Sequence, residues 1–190
     1  QTLSVTCTPT NSNKYETVSK TVSIVVSARP ITITADAKSK FYNGSDPSLT
    51  YQITSGSLVG SDAISGSLSR TTGENVGTYT INRNTIAINA NYNITYVSAN
   101  LTINALAITV TAAAKTKVYG ASDPDLTYSV TSGTVKSGDN FTGALSRATG
   151  ENVGTRAISQ GTLSLGSNYT ITFVGADLTI TTKAVTVTAD

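Results

Sequence analysis

One phrase occurs twice in this chain. YNGSDPSLTY at 42–51 returns as YGASDPDLTY at 119–128, and the match does not stop there. ITITADAKSKFYNGSDPSLTYQITSG at 31–56 meets ITVTAAAKTKVYGASDPDLTYSVTSG at 108–133. GSLSRTTGENVGT at 66–78 meets GALSRATGENVGT at 143–155, and NYNITYVSANLTI at 91–103 meets NYTITFVGADLTI at 168–180. The offset is 77 in every block (108 − 31, 143 − 66, 168 − 91), with no gap. A fixed period of this size is the mark of tandem modules. It constrains the chain to two full repeats, at 31–104 and 108–181. Residues 185–190 (VTVTAD) restate ITITAD and read as the start of a third, truncated repeat. Residues 1–28 read as the C-terminal fragment of a preceding β module, so the expectation is a piece of a longer array.

Each repeat reads as short strands separated by turns. ITITAD alternates apolar and polar residues, and LTYQIT, TYTIN, NTIAIN, NITYV and NLTIN follow it. Alternation with a period of two, in Thr-, Val-, Ile- and Tyr-rich segments, predicts half-buried strands. SDAIS at 61–65 and its mate GDNFT at 138–142 are the only helical candidates, at one short turn each. The predicted fold is therefore all-β: small β-sandwich or β-grasp-like modules in an elongated array.

The repeated motifs have structural readings. In Asp46-Pro47 and Asp123-Pro124, proline presets a turn and the aspartate accepts a backbone hydrogen bond. The competing reading makes these aspartates calcium ligands, with Asp125 nearby in the second copy. Ser48 replaces Asp125 in the first copy, so such a site is not kept between repeats. In the GENVGT loops, Gly73, Gly77, Gly150 and Gly154 suit positive φ, while Glu74 and Glu151 face a backbone amide or Arg70 and Arg147. Tyr92 and Tyr169 read as core residues whose hydroxyls tie to backbone, as in a tyrosine corner. Leu106, in the short NALA connection, is expected to pack between neighbouring repeats. Asn43-Gly44 stands where Gly120-Ala121 stands, a displacement of the glycine expected to alter that turn. Lys38, Lys40, Lys115 and Lys117 read as solvated lysines; the alternative is a Lys–Asn crosslink to Asn91 or Asn168 promoted by Glu74. Cys7 reads as a small buried hydrophobe in a strand.

Composition narrows the function classes. The chain has 190 residues, 13% charged residues and a net charge of +2, without a Lys/Arg cluster, so nucleic acid is not the expected partner. No apolar run approaches the roughly 20 residues of a membrane span, so no membrane contact is expected of this segment. With no histidine and one cysteine, neither a Ser-His-Asp triad nor a zinc knuckle is available. The chain is not expected to be an enzyme or to carry a cofactor, calcium standing as the sole candidate.

The motif set Y-G-x-S-D-P-x-L-T-Y, G-x-L-S-R-x-x-G-E-N-V-G-T and N-Y-x-I-T-x-x-x-A-x-L-T-I resembles the MBG domain of the YGX type. The resemblance covers nearly all of 31–181, and residues 1–28 resemble the end of a bacterial Ig-like repeat. It implies an extracellular setting on a bacterial surface, in large adhesin-like proteins built of such repeats. The expected function is a structural stalk or spacer, with neighbouring repeats of the same chain as partners and a spacing of roughly 35–45 Å per repeat. Two further readings stand beside it. One is a glycan-, protein- or ice-binding module that uses Thr-x-Thr arrays or the tyrosines Tyr15, Tyr42 and Tyr119. The other is a subunit of a polymerising fibre that pairs with other copies through exposed strand edges.

Overall fold

The computed structural model describes residues 2–189 and is all-β: among the described residues there is no helix. The strands in chain order are β1 (Thr2–Cys7), β2 (Val18–Ser23), β3 (Arg29–Ala35), β4 (Lys38–Phe41), β5 (Tyr51–Ser55), β6 (Ser69–Arg70), β7 (Gly77–Asn82) and β8 (Tyr92–Val97). They continue as β9 (Ala99–Asn104), β10 (Leu106–Ala112), β11 (Lys115–Val118), β12 (Tyr128–Ser132), β13 (Ser146–Arg147), β14 (Gly154–Ser159), β15 (Tyr169–Val174) and β16 (Ala176–Thr181).

Each repeat forms a three-stranded and a four-stranded sheet. The orders are β5-β3-β8 and β4-β9-β7-β6 in the first repeat, and β12-β10-β15 and β11-β16-β14-β13 in the second. In the second repeat, β10 runs parallel to β15 and β11 parallel to β16. One register serves both pairs: Leu106 faces Tyr169 and Lys115 faces Leu178, each partner 63 positions on. The first repeat has the same spacing in Arg29 with Tyr92 and Lys38 with Leu101. The first and last strands of the second repeat thus run as one parallel ribbon, broken once where it passes from one sheet to the other. On the other edge of β10, β12 pairs antiparallel.

The alternation read in the sequence sets which side chains go in. Along β10, Ile108, Val110 and Ala112 are buried while Thr109 and Thr111 face outward. Thr111 Oγ1 meets Thr131 Oγ1 at 2.9 Å across the sheet, and Thr34 meets Thr54 in the same way at 2.7 Å. The period of two also points Lys40 on β4 and Lys117 on β11 inward, and both are buried.

By contacts the chain forms two units. One comprises Gln1–Asp36, Leu49–Ser69 and Asn82–Ala99; the other comprises Ala37–Ser48, Arg70–Ile81 and Asn100–Asp190. The first holds the β1-β2 hairpin and the sheet β5-β3-β8. The second groups the other sheet of the first repeat with the whole second repeat. A continuous core explains that grouping: Tyr42 and Ile103 of the first repeat are buried with Ile108, Val110, Leu163, Leu165 and Tyr169 of the second.

Several local expectations differ from the structure. SDAIS and GDNFT do not make helical turns. Each follows a single tight turn, with Asp62 N donating to Val59 O at 3.1 Å and Asp139 N to Lys136 O at 3.0 Å. The aspartates there are committed to tyrosine hydroxyls rather than to a helix cap. NTIAIN is not a strand; Ala87 makes one isolated bridge to Ser65, and Ile86 is buried after a turn in which Asn84 has φ of 46°. Cys7 lies in β1 as expected but is exposed, because neither strand of that hairpin is covered.

Candidate functional site, an inter-repeat joint

Each repeat is locked by a quartet of charges. Lys40 Nζ lies 2.7 Å from Asp46 Oδ1 and 2.6 Å from Glu74 Oε2. Arg70 Nε lies 2.6 Å from Asp46 Oδ2, and Arg70 also pairs with Glu74. Arg70 Nη1 donates to Thr71 O and Gly73 O, at 2.9 and 2.7 Å. The second repeat rebuilds the quartet from Lys117, Asp123, Arg147 and Glu151. Two cations and two carboxylates sum to zero, which is what allows a lysine at an inward strand position. Hydrogen bonds from Arg70 and then Lys40 hold Asp46 down to about 2; Arg147 and Lys117 do the same to Asp123. Glu74 and Glu151 are lowered by the lysine first and the arginine second. Burial works against the Lys40 ammonium, but its bonds to Asp46 and Glu74 outweigh that and raise its pKa; at Lys117 the bonds to Asp123 and Glu151 lead.

The quartet changes the reading of several motif residues. The hydrogen-bonded turn falls at Tyr42-Asn43 and Tyr119-Gly120, before Asp46-Pro47 and Asp123-Pro124. The aspartates do not cap that turn; both oxygens of each face cations. The two turns are alike despite the displaced glycine. Gly44 N donates to Phe41 O and Ala121 N to Val118 O, each at 3.0 Å. Asn43 takes φ of 63° where Gly120 takes 83°, and asparagine tolerates that left-handed region. Lys40 and Lys117 are not solvated, because burial and paired carboxylates claim their ammonium groups.

Gly73 and Gly77, like Gly150 and Gly154, have positive φ in the loops that carry Glu74 and Glu151. A Cβ on Gly73 would meet the Tyr79 ring at 2.1 Å. That ring stacks on Arg70, with its guanidinium carbon 5.4 Å from the centroid, and Tyr79 Oη donates to Asn75 O at 2.7 Å. Arg156 takes the place of Tyr79 in the second repeat and holds Asn152 O at 2.9 Å.

The turn and the loop are two parts of one joint. The Tyr42 ring is 5% exposed and meets Tyr169 edge to face, with centroids 5.4 Å apart. Both hydroxyls donate to the same oxygen, Asp139 Oδ2, at 3.0 Å from Tyr42 and 2.6 Å from Tyr169. Tyr169 Oη in turn accepts from Lys136 N at 2.9 Å, and Lys136 Nζ lies 5.2 Å from the centroid of the Tyr42 ring. Burial first, and then the Asp139 carboxylate, raise the Tyr169 pKa. From the loop, Val76 N donates to Asn168 Oδ1 at 2.9 Å, and Asn168 Nδ2 to Asn75 Oδ1 at 3.1 Å. Leu106 is half-buried against this cluster, and its N–H donates to Asn168 O at 3.0 Å. Tyr92 repeats the Tyr169 arrangement: its hydroxyl accepts from Val59 N and donates to Asp62, both at 2.8 Å.

Sequence reasoning missed Tyr42, Asn75, Val76, Lys136 and Asp139 as joint residues. Tyr42, Asn75, Val76 and Asp139 recur in the other copy as Tyr119, Asn152, Val153 and Asp62, and that recurrence is the signal they carried; Lys136 stands where the first repeat has Val59 and carried none.

The elements define a class: tandem all-β repeats whose boundary is a packed core with a shared carboxylate at its centre. The MBG domain (YGX type) family matches residues 31–102 and again 108–179, and the chain belongs to this family. Repeat domains of this kind occur in surface proteins. Comparison with curated proteins and with solved structures returns no match.

Proposed function

We propose that these repeats are structural spacers of a bacterial cell-surface adhesin or extracellular filament. The observation that carries this reading is the joint, in which Tyr42 is buried in the core of the following repeat instead of lying in a flexible linker. A spacer must resist bending between its modules, and a core shared across the boundary supplies that resistance. The ligand-binding alternative draws no comparable support. A binding patch kept by both repeats would place aromatics alike, yet exposed Phe41 of the first repeat aligns with Val118 of the second. The threonine arrays bond partly to one another.

Small-angle scattering on the chain in dilute solution tests the proposal. A spacer gives a radius of gyration well above the roughly 16 Å of a compact chain of this length. A value near that compact figure refutes it.

A further inference from the structure

Asn43-Gly44 is the one Asn-Gly pair in the chain, and the second repeat has Gly120-Ala121 in its place. A glycine after asparagine leaves its backbone nitrogen unshielded, because no Cβ stands beside it. Such a nitrogen attacks the asparagine carboxamide carbon and closes a five-membered ring. Here the pair lies on the turn that carries Tyr42 into the joint. Asn43 is exposed and its φ is 63°, so its carboxamide is open to water. The nitrogen is not free: Gly44 N donates to Phe41 O at 3.0 Å, which holds its proton and points it across the turn, away from attack. The turn is itself anchored. Tyr42 N donates to Asn104 O at 2.8 Å, and the Tyr42 ring is buried and bonded to Asp139. On the far side Asp46 is held by Lys40 and Arg70.

We infer that Asn43-Gly44 is a self-modification site that the closed joint restrains. When Tyr42 leaves its seat, the turn loses its anchor and Gly44 N is released from Phe41 O. The nitrogen gives up its proton and bonds to Asn43 Cγ. The bond from Cγ to the side-chain nitrogen breaks, and that nitrogen leaves as ammonia, carrying the proton. Water then opens the cyclic imide at one of its two carbonyls. One opening leaves aspartate. The other leaves isoaspartate, whose backbone runs through the side-chain carbon and is longer by one methylene. The balance is one water consumed and one ammonia released, with no oxidant or reductant. Both products disturb the turn. Aspartate adds a negative charge three residues before Asp46, and isoaspartate lengthens the chain between Phe41 O and Gly44 N, which the turn must bring together. Tyr42 is then displaced from Asp139 and Tyr169, so one opening that reacts uncouples the two repeats for good. The inference rests on the joint and not on the spacer role.

Peptide mapping by mass spectrometry tests the inference, on the intact chain incubated in mildly alkaline buffer and, in parallel, in urea. The product peptide carries oxygen in place of NH and is heavier than its parent, whereas a Lys–Asn crosslink would leave the chain lighter. Asn43 should convert at least about tenfold more slowly in buffer than in urea, because a local opening precedes the chemistry. Asp139→Ala lies far from Asn43 in the chain and leaves the pair itself unchanged; it should speed conversion in buffer at least about threefold and leave the rate in urea as it was. Tyr42→Phe removes only the hydroxyl and serves as the milder variant, with an intermediate rate, should Asp139→Ala not fold. Asn43→Gly, the residue that the second repeat has at this turn, should abolish the modification and keep the melting temperature. Equal wild-type rates in buffer and in urea overturn the inference, as do wild-type rates in both joint variants. A purified isoaspartate form that melts with the unmodified chain overturns the uncoupling.

Discussion

Tyr42 and Tyr119 are the same residue on the same turn, so truncating each to alanine isolates what the joint contributes. A tyrosine side chain presents about 200 Å2, and at about 25 cal/mol/Å2 its full burial is worth about 4–5 kcal/mol. Tyr42 is 5% exposed, packs edge to face on Tyr169 and bonds Asp139. With a partly relaxing cavity, Tyr42→Ala should cost about 4 kcal/mol. Tyr119 is 49% exposed and has no such ring pair, so about 2 kcal/mol is expected. The assay is urea denaturation followed by circular dichroism, with both variants compared at equal slope. The expected difference is about 2 kcal/mol. A difference under about 1 kcal/mol would mean that the ring does not pack in solution as described, and the argument for a shared core would fall with it.

The charge quartets make the fold acid-resistant. Asp46 and Asp123 titrate at about 2, and Glu74 and Glu151 are lowered, so the folded chain binds fewer protons than the unfolded one. Their contribution is complete above the ordinary carboxylate range of about 4 and is lost as pH falls through the folded values, so melting temperature should decline mainly between about pH 4 and pH 2. Lys40 and Lys117 are raised, so their contribution holds below the ordinary lysine value and is lost above it, which a second decline in strong alkali would report. A decline beginning near pH 6 would contradict the quartet. Calcium or a chelator should leave the melting temperature unchanged, because the Asp46 and Asp123 oxygens already face cations; a rise with calcium would reopen the metal reading. Intact mass should equal the sequence mass without loss of ammonia, because Asn168 is engaged by Asn75 and Val76 while Lys117 is held as an ammonium between carboxylates. A deficit of one ammonia would demonstrate the crosslink.

The sequence carried the period of 77 and the alternation of β3 and β10 openly, because a strand with one face buried must write its pattern at every second residue. It carried less of the partners. Which strands pair in parallel is a long-range choice, and nothing within ITVTA names NYTITF as its neighbour. Lys40 and Lys117 illustrate a second loss: they occupy inward positions that alternation alone identifies, yet the composition of KSK and KTK reads as surface. Their partners lie six and 34 residues away, so the compensation is visible only after folding. Tyr42 was hidden by its repeat. A residue found twice invites one explanation, a turn or a surface site, and nothing within YNGSDP names Asp139 and Tyr169 as the partners that bury Tyr42.

The single register of 63 has a mechanical meaning. A pull applied at Leu106 and at Thr181 draws the first and last strands of the second repeat in opposite directions along a shared parallel ribbon. The ladder from Leu106–Tyr169 to Val118–Thr181 is then loaded in shear, so its hydrogen bonds must fail together instead of unzipping one by one. Single-molecule stretching should give a rupture force for this geometry that falls sharply when Val110→Pro interrupts the ribbon, since forced unfolding follows the barrier rather than the equilibrium. A repeat wired in this way bears tension along its length with the same strands that give it its core.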